Sequence, residues 1–120
     1  MSGLLVIVEN YWKKEGEKDL EGIMECFHPD ARFSAPITED LQGSTELRKF
    51  YAGVVEGFAN SNVTINRSTE LGDRIAVEFT LDFEQHDGAT GQASGCNVFT
   101  VRGGKIFELQ CYFDPASFRA

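Results

Sequence analysis

The sequence of 120 residues contains few of the residues that build disulfide frameworks or metal centres. Its three cysteines, Cys26, Cys96 and Cys111, are an odd number without a CxxC spacing, and only His28 and His86 could join them as ligands. Disulfide-stapled secreted domains and zinc modules use such residues in larger numbers and at closer spacings. We therefore expect reduced thiols in a cytoplasmic protein, with no bound metal and no other cofactor.

Basic residues are also scarce, since 11 Lys and Arg stand against 19 Asp and Glu, for a formal net charge of −8. Phosphate backbones and anionic membrane surfaces attract clustered cations, so we expect neither nucleic acid nor a membrane as a partner. A continuous apolar run of roughly eighteen residues, long enough to span a bilayer, is absent too. The opening stretch MSGLLVIVENYWKKEGEKD lacks the charged leader and the cleavage site of a signal peptide.

Apolar residues, in contrast, are plentiful. They make up 42% of the chain and include ten Phe. A chain of this length and composition can bury a core without covalent staples. The composition therefore predicts one globular domain over residues 1–120.

The first half of the chain has helical periodicity. The first stripe has the spacing i, i+3, i+4 and i+7, fades near Gly16 and consists of Leu4, Ile7, Val8 and Tyr11. Asp19 is expected to cap a second helix that Pro29 ends, with His28 at its C-terminus. Ser44 is expected to cap a third helix with a continuous apolar face.

From residue 61 onward the period becomes two. A regular alternation at 74–85 predicts a strand with one core face, formed by Ile75, Val77, Phe79, Leu81 and Phe83. The turn sequences HDGATG and RGGK delimit further antiparallel strands at 92–102 and 105–113, and a less regular strand precedes them at 62–71. Helices followed by a meander predict an α+β fold, with three helices against one face of a curved sheet.

Several segments carry a resemblance to a known family: VIVENYWKKEGEKDLEGI, FHPDARF, LRKFY, NVFTVRGGKI and YFDPASF. Together they resemble the nuclear transport factor 2-like superfamily, in particular its SnoaL-like cyclase and Δ5-3-ketosteroid isomerase branches. The resemblance implies a cone-shaped mixed or antiparallel sheet that three N-terminal helices wrap around a mostly apolar pocket, a cystatin-like α+β barrel. It also implies a homodimer, which we place on the sheet face bearing Ala76, Glu78, Thr80 and Asp82.

The same resemblance assigns the candidate catalytic positions. Tyr11 matches the helix tyrosine that donates a hydrogen bond to the oxyanion in the isomerases, and Asn97 stands where they have a second donor, a protonated Asp. The position of their proton-shuttling base holds Ala35. Cyclases and related epoxide hydrolases place an acid in the last strand instead, and there this chain has Cys111.

Each of these residues also has a structural interpretation. Cys111 can be an inert pocket or core residue, because apolar surroundings raise the pKa of a thiol and no cation is adjacent to it in sequence. Tyr11 can be a core aromatic on a helical stripe. Asn97 is expected to meet a ligand or Tyr11, or else to bond the backbone at a strand end. His28 and His86 are expected to face solvent.

Two classes of function remain open at this point. The first is an isomerase-like or cyclase-like enzyme for a hydrophobic carbonyl compound, in which Tyr11 and Asn97 stabilise an enolate and the base is unidentified. The second is a non-catalytic domain that binds a small hydrophobic molecule, polycyclic or carbonyl-bearing, or that binds another protein. In either case the expected substrate-binding wall consists of Trp12, Phe50, Phe79, Leu81, Phe83, Phe99 and Phe113.

Overall fold

The computed structural model describes residues 3–118, so the expected domain over 1–120 extends beyond the described residues at both ends. The helices are α1 (Gly3–Gly16), α2 (Leu20–Glu25) and α3 (Ser44–Gly57), and a 3₁₀ turn follows the last strand at Pro115–Phe118. The strands are β1 (Phe27–Ala35), β2 (Thr38–Gln42), β3 (Asn60–Leu71), β4 (Arg74–Glu84), β5 (Thr90–Arg102) and β6 (Lys105–Phe113). No helix within residues 3–118 is long and apolar enough to cross a membrane.

All six strands form one curved, unclosed sheet in the order β2-β1-β6-β5-β4-β3. The four strands from β3 to β6 are antiparallel neighbours in chain order, as the turn sequences predicted. Strand β1 pairs in parallel with β6, which makes the sheet mixed. The α+β prediction with three helices on a curved sheet is confirmed. The N-terminal hairpin of β1 and β2, which reads as one extended piece in the sequence, extends the meander at one edge.

The first helix forms as its stripe predicts. It buries Val8, Tyr11 and Trp12 against the sheet. The predicted cap of α2 is confirmed, because the Asp19 carboxylate accepts a hydrogen bond from the Gly22 N–H at 2.9 Å. The helix ends earlier than expected, at Glu25.

The early end of α2 places His28 in β1 rather than at a helix C-terminus, which corrects that prediction. Its ring accepts a hydrogen bond from the Asp30 N–H at 3.0 Å and packs edge-on against Phe107. The strand forms here because β6 offers a free edge, and the Ile106 N–H donates to the Cys26 carbonyl just before β1. Pro29 lies within β1, although a proline has no N–H to donate to a neighbouring strand. A strand tolerates a proline only at a position where no such hydrogen bond is required.

The start of α3 also differs from the prediction. The cap residue is Gly43 rather than Ser44, and it makes no side-chain cap. Gly43 has a φ of 88°, a conformation that costs a residue with a Cβ far more than glycine. Its N–H donates to the Ala31 carbonyl at 2.9 Å, so the turn is tied to β1 before the helix begins.

The alternation in β4 gives the expected core face. Ile75, Val77, Phe79 and Phe83 are buried, and Leu81 is half-buried. This face packs against the aromatic side of α1, where the Trp12 and Phe79 ring centroids are 5.3 Å apart. The helices therefore cover one face of the sheet, and the space left between them and the strands holds the candidate site.

Candidate functional site

A cavity of about 250 Å³ lies between α1, α3 and the covered face of the sheet. The three candidate catalytic residues Tyr11, Asn97 and Cys111 all line it, although they come from α1, β5 and β6. Five of the seven residues expected in the apolar wall line it as well, namely Trp12, Phe50, Phe79, Leu81 and Phe113. The fold thus brings most of the predicted site residues to one place.

Phe99 and Phe83 do not line this cavity, which corrects the expected wall. Phe99 is completely buried under α1, with its ring 5.8 Å from that of Tyr11 and 5.7 Å from that of Trp12. Phe83 lies toward the end of β4, where Phe118 stacks on it at 5.3 Å. The alternation identifies the covered face of a strand, but which residues of that face border the open space depends on the helices and the C-terminal turn.

Two residues that the sequence analysis did not select dominate the polar end of the cavity, Glu15 and Tyr51. The Tyr11 hydroxyl donates to a carboxylate oxygen of Glu15 at 3.1 Å, and it lies 2.5 Å from the Tyr51 hydroxyl. Tyr11 and Glu15 are one helical turn apart on α1, whereas Tyr51 comes from α3. All three residues line the cavity, and we call them the Glu15–Tyr11–Tyr51 chain.

The surroundings of this chain shift its proton affinities. Burial raises the pKa of Glu15 from 4.5 to about 7, and the hydrogen bond from Tyr11 opposes that rise only in part. Burial, followed by the nearby charge of Glu15, raises the pKa of Tyr11 and that of Tyr51 well above the ordinary value. Near neutral pH both hydroxyls therefore keep their protons, and Glu15 is the member of the chain that exchanges one.

Asn97 is the second polar feature of the cavity. Its side chain is 5% exposed, and its Oδ1 atom has no hydrogen-bond partner among residues 3–118. The Tyr11 hydroxyl bonds Tyr51 and Glu15, so Tyr11, one of the alternative partners expected for Asn97, does not hydrogen-bond it. A buried polar group without a partner costs about 1–3 kcal/mol. The position is consistent with a hydrogen bond to a ligand.

Cys111 lies directly opposite Asn97 in the register between β5 and β6. Burial, with a further contribution from the Glu15 charge, raises the pKa of its thiol well above the ordinary value. The thiol is thus fully protonated at neutral pH and is a poor nucleophile or base. Ala35, which the family resemblance assigned to the base position, also lines the cavity.

The remaining candidates lie elsewhere. His28 is not among the residues lining the cavity, and the exposed His86 contacts the Glu56 carbonyl through Nε2 at 2.6 Å. Within the described part of the chain, no three His, Cys, Asp or Glu side chains are grouped as metal ligands. The three cysteines form no disulfide bonds. The hydrogen-bonding side chains that line this cavity include Glu15, the two tyrosines, Ser61 and Asn97.

The sequence held a usable signal for Glu15 and a weaker one for Tyr51. Glu15 stands four residues after Tyr11, which places an acid on the same helical face one turn away. The neighbouring lysines in WKKEGEK, however, are typical of a solvated helix end. Tyr51 is one of several apolar residues on the α3 stripe, and nothing local distinguishes it from a core aromatic.

Comparison with known proteins matches residues 8–109 to the family described as SnoaL-like domain. A nuclear transport factor 2-like protein of unknown function from Burkholderia pseudomallei K96243 superposes with a TM-score of 0.86 at 21% identity, over 100% of both chains. Δ5-3-ketosteroid isomerase from Mycobacterium sp. gives 0.85 at 20% identity, covering 98% of this chain and 97% of its own. TerC co-crystallised with polyporic acid gives 0.84 at 22% identity, covering 98% and 95%. No curated protein sequence matches significantly.

Proposed function

Because this chain belongs to the SnoaL-like domain family, we propose that it binds a small hydrophobic molecule that carries an oxygen function at one end. The observation that carries the proposal is the buried Oδ1 atom of Asn97, which has no partner among residues 3–118 yet borders an otherwise mostly apolar cavity. A ligand hydroxyl at this end would donate to Asn97 Oδ1, and a ligand carbonyl oxygen would accept from the Asn97 amide N–H or from the Glu15–Tyr11–Tyr51 chain. The polyporic acid in the TerC structure supports small-molecule binding within the fold.

The cavity volume limits the size of the ligand. At about 250 Å³ it exceeds the roughly 150 Å³ of an engineered cavity that holds benzene, and it lies just below the usual range for ligand pockets, which begins near 300 Å³. We therefore propose a compound of one or two rings rather than a larger polycycle. The aromatic wall of Trp12, Phe50 and Phe79 would contact its ring faces.

Filling the cavity tests this proposal. We expect α-tetralone, a two-ring ketone, to bind the wild-type protein at pH 6 in titration calorimetry. Ala35→Trp and Leu81→Trp place an indole in the cavity from two different strands, so each should weaken binding by at least tenfold. Ala89→Trp, in the exposed turn between β4 and β5, is the matched control.

A thermal melt shows which of these variants fold. Folded Ala35→Trp or Leu81→Trp proteins with wild-type affinity would overturn the proposed site. Native mass spectrometry of the purified wild-type protein would complement the titration by giving the mass of any small molecule that co-purifies. We expect that mass to be absent from the blocked variants and present in the control.

A second candidate function is proton transfer on a carbonyl compound, and Glu15 is the observation that favours it. A carboxylate with a pKa of about 7 is suited to act as a general base near neutral pH. It would take a proton from the carbon next to the carbonyl, the C–H electrons would form the enolate, and Asn97 would donate to the enolate oxygen. The proton would return from Glu15 to carbon, so no further reactant is needed.

Hydrogen exchange measures this second function directly. In D₂O, the protein should speed the replacement of the α-hydrogens of α-tetralone, followed by proton NMR. Glu15→Gln should lower that rate by about 10²–10⁴, the usual contribution of a positioned base. Exchange at the wild-type rate in the Glu15→Gln protein would exclude Glu15 as the base.

We also propose that the protein is a cytoplasmic homodimer formed through the sheet face opposite the helices. Outward-pointing residues on neighbouring strands form a row there, since Glu78 pairs with Cys96 and Cys96 with Tyr112. The Tyr112 side chain is 56% exposed, which is unusual for a large aromatic. A second copy packed on this face would cover it.

A further inference from the structure

The three oxygen-bearing side chains of the Glu15–Tyr11–Tyr51 chain form two consecutive hydrogen bonds at the polar end of the cavity. Each tyrosine hydroxyl carries one proton, and the carboxyl group of Glu15 carries one or none. The number of protons in the chain therefore depends on Glu15 alone. That number fixes what the chain can offer to a ligand.

With Glu15 ionised, the chain has two protons for two internal hydrogen bonds. Tyr11 donates its proton to the carboxylate, so the short contact with Tyr51 must be a hydrogen bond donated by Tyr51. Neither hydroxyl then has a proton left for a ligand. The Tyr51 oxygen and the carboxylate can still accept hydrogen bonds.

With Glu15 protonated, the chain has three protons for the same two bonds. The carboxyl group can donate to Tyr11 and Tyr11 to Tyr51, which leaves the Tyr51 proton free. A single proton on Glu15 thus reverses the direction of the chain. It also changes the number of spare donors from none to one.

We propose that the protonation state of Glu15 sets which class of ligand binds more tightly: a carbonyl compound when Glu15 is neutral, and a hydroxyl compound, a phenol or an enol, when it is ionised. The inference rests on the proposed binding function and adds to it the chemistry of the bound oxygen. A ketone oxygen only accepts, so the spare donor of the neutral chain adds one hydrogen bond to those that the Asn97 amide can donate at every pH. A hydroxyl ligand can donate to the carboxylate of the ionised chain, which is a stronger acceptor than the neutral carboxyl group.

The groups around Glu15 allow it to act as the variable member. The titratable groups that face it are Tyr11 and Lys18 from α1 and the turn after it, Tyr51 from α3 and Cys111 from β6. The Lys18 ammonium donates a hydrogen bond to the Phe58 carbonyl at 2.8 Å. The facing β3 residues, Asn60 and Ser61, do not titrate. The pKa of Glu15, about 7, places the change of ligand class near neutral pH.

Two probes of similar size separate the classes, α-tetralone as the ketone and α-naphthol as the hydroxyl compound. Their affinities for the wild-type protein are measured by titration calorimetry at pH 6 and pH 8. If each probe prefers one form of Glu15, its binding-competent fraction changes by up to about tenfold over this interval. We expect α-tetralone to bind several-fold, and at most about tenfold, more weakly at pH 8 than at pH 6, and α-naphthol more tightly by a similar factor.

Glu15→Gln removes the titration and keeps an amide that donates at every pH. Both affinities should then be independent of pH, and α-tetralone should bind as it does to the wild type at pH 6. Glu17→Gln changes the same charge at an exposed position two residues away and should keep the wild-type behaviour.

Each other outcome is decisive. Binding of both probes without opposite pH dependence would overturn the inference and leave the binding function standing. Opposite pH dependence that persists in Glu15→Gln would also overturn it, because another group would then be titrating. Binding of neither probe at either pH would refute the proposed function itself and the inference with it.

Discussion

The raised pKa of Glu15 makes the stability of the protein depend on pH in an unusual direction. A carboxyl group with a pKa of 4.5 in the unfolded chain and about 7 in the folded protein is more easily protonated when folded. Its protonated form is compatible with folding, and its ionised form carries a cost. The contribution of Glu15 to the free energy of unfolding is therefore highest below about pH 4.5 and falls between pH 4.5 and 7. Above pH 7 it stays at its lower value.

The magnitude follows from the two pKa values. A rise from 4.5 to about 7 corresponds to about 3 kcal/mol if the side chain is fully shielded from water. Glu15 is only half-buried by its accessible surface, so solvent screening reduces the cost. We expect Glu15→Gln to stabilise the protein by about 1–2 kcal/mol at pH 8, equivalent to a rise in Tm of roughly 4–8 °C.

Urea unfolding of the wild-type, Glu15→Gln and Glu17→Gln proteins between pH 4 and pH 9 is the assay. The free energies of unfolding of wild type and Glu15→Gln should converge at low pH, separate between about pH 4.5 and 7, and stay apart above pH 7. Glu17→Gln should follow the wild type throughout. A Glu15→Gln protein no more stable than the wild type at pH 8 would contradict the reasoning that burial destabilises the carboxylate.

Three further predictions concern the other parts of the site. Cys111→Ala should cost about 1 kcal/mol of stability and change ligand affinity or activity by no more than a few-fold, because the thiol stays protonated; a hundred-fold loss of activity with the fold intact would restore Cys111 as a working group. A Δ5-3-ketosteroid should be turned over far below the roughly 1–10³ s⁻¹ typical of enzymes, because Ala35 supplies no base at its position and a steroid is larger than the one or two rings proposed for this cavity; a rate in that range would refute this expectation. Sedimentation should show a dimer at tens of micromolar that Tyr112→Asp dissociates, whereas a monomeric wild type would count against the dimer.

Local sequence patterns were sufficient to predict the helices and strands in which buried apolar residues recur at a regular spacing. The α1 stripe and the β4 alternation each mark one apolar face, and the structure covers both faces. The Gly43 cap and the position of His28 were predicted wrongly, because each depends on contacts with β1 and β6 rather than on neighbours in sequence. The end of α2 at Glu25 depends on the pairing of β1 with β6, a strand far along the chain.

Only part of the candidate site could be predicted from the sequence, because some of its contacts join segments that are far apart in the chain. Tyr11, Asn97 and Cys111 could be selected because a family resemblance assigned them to positions around a pocket. The spacing from Tyr11 marks Glu15 as a candidate, but its raised pKa could not be predicted from the sequence, since it arises from burial in the folded protein. The hydrogen bond between Tyr11 and Tyr51 joins two separate helices and leaves no local sequence pattern.

The parallel pairing of β1 with β6 has a consequence for how the chain folds. Phe33 of β1 pairs with Leu109 of β6, so most of the chain must be made before this contact can form. Contacts between such distant segments slow folding, because the intervening loop must be closed before they contribute any stability. On the ribosome, the three helices and the β1–β2 hairpin emerge first and have only part of a sheet to cover. Their apolar faces stay accessible to chaperones until the final strand arrives.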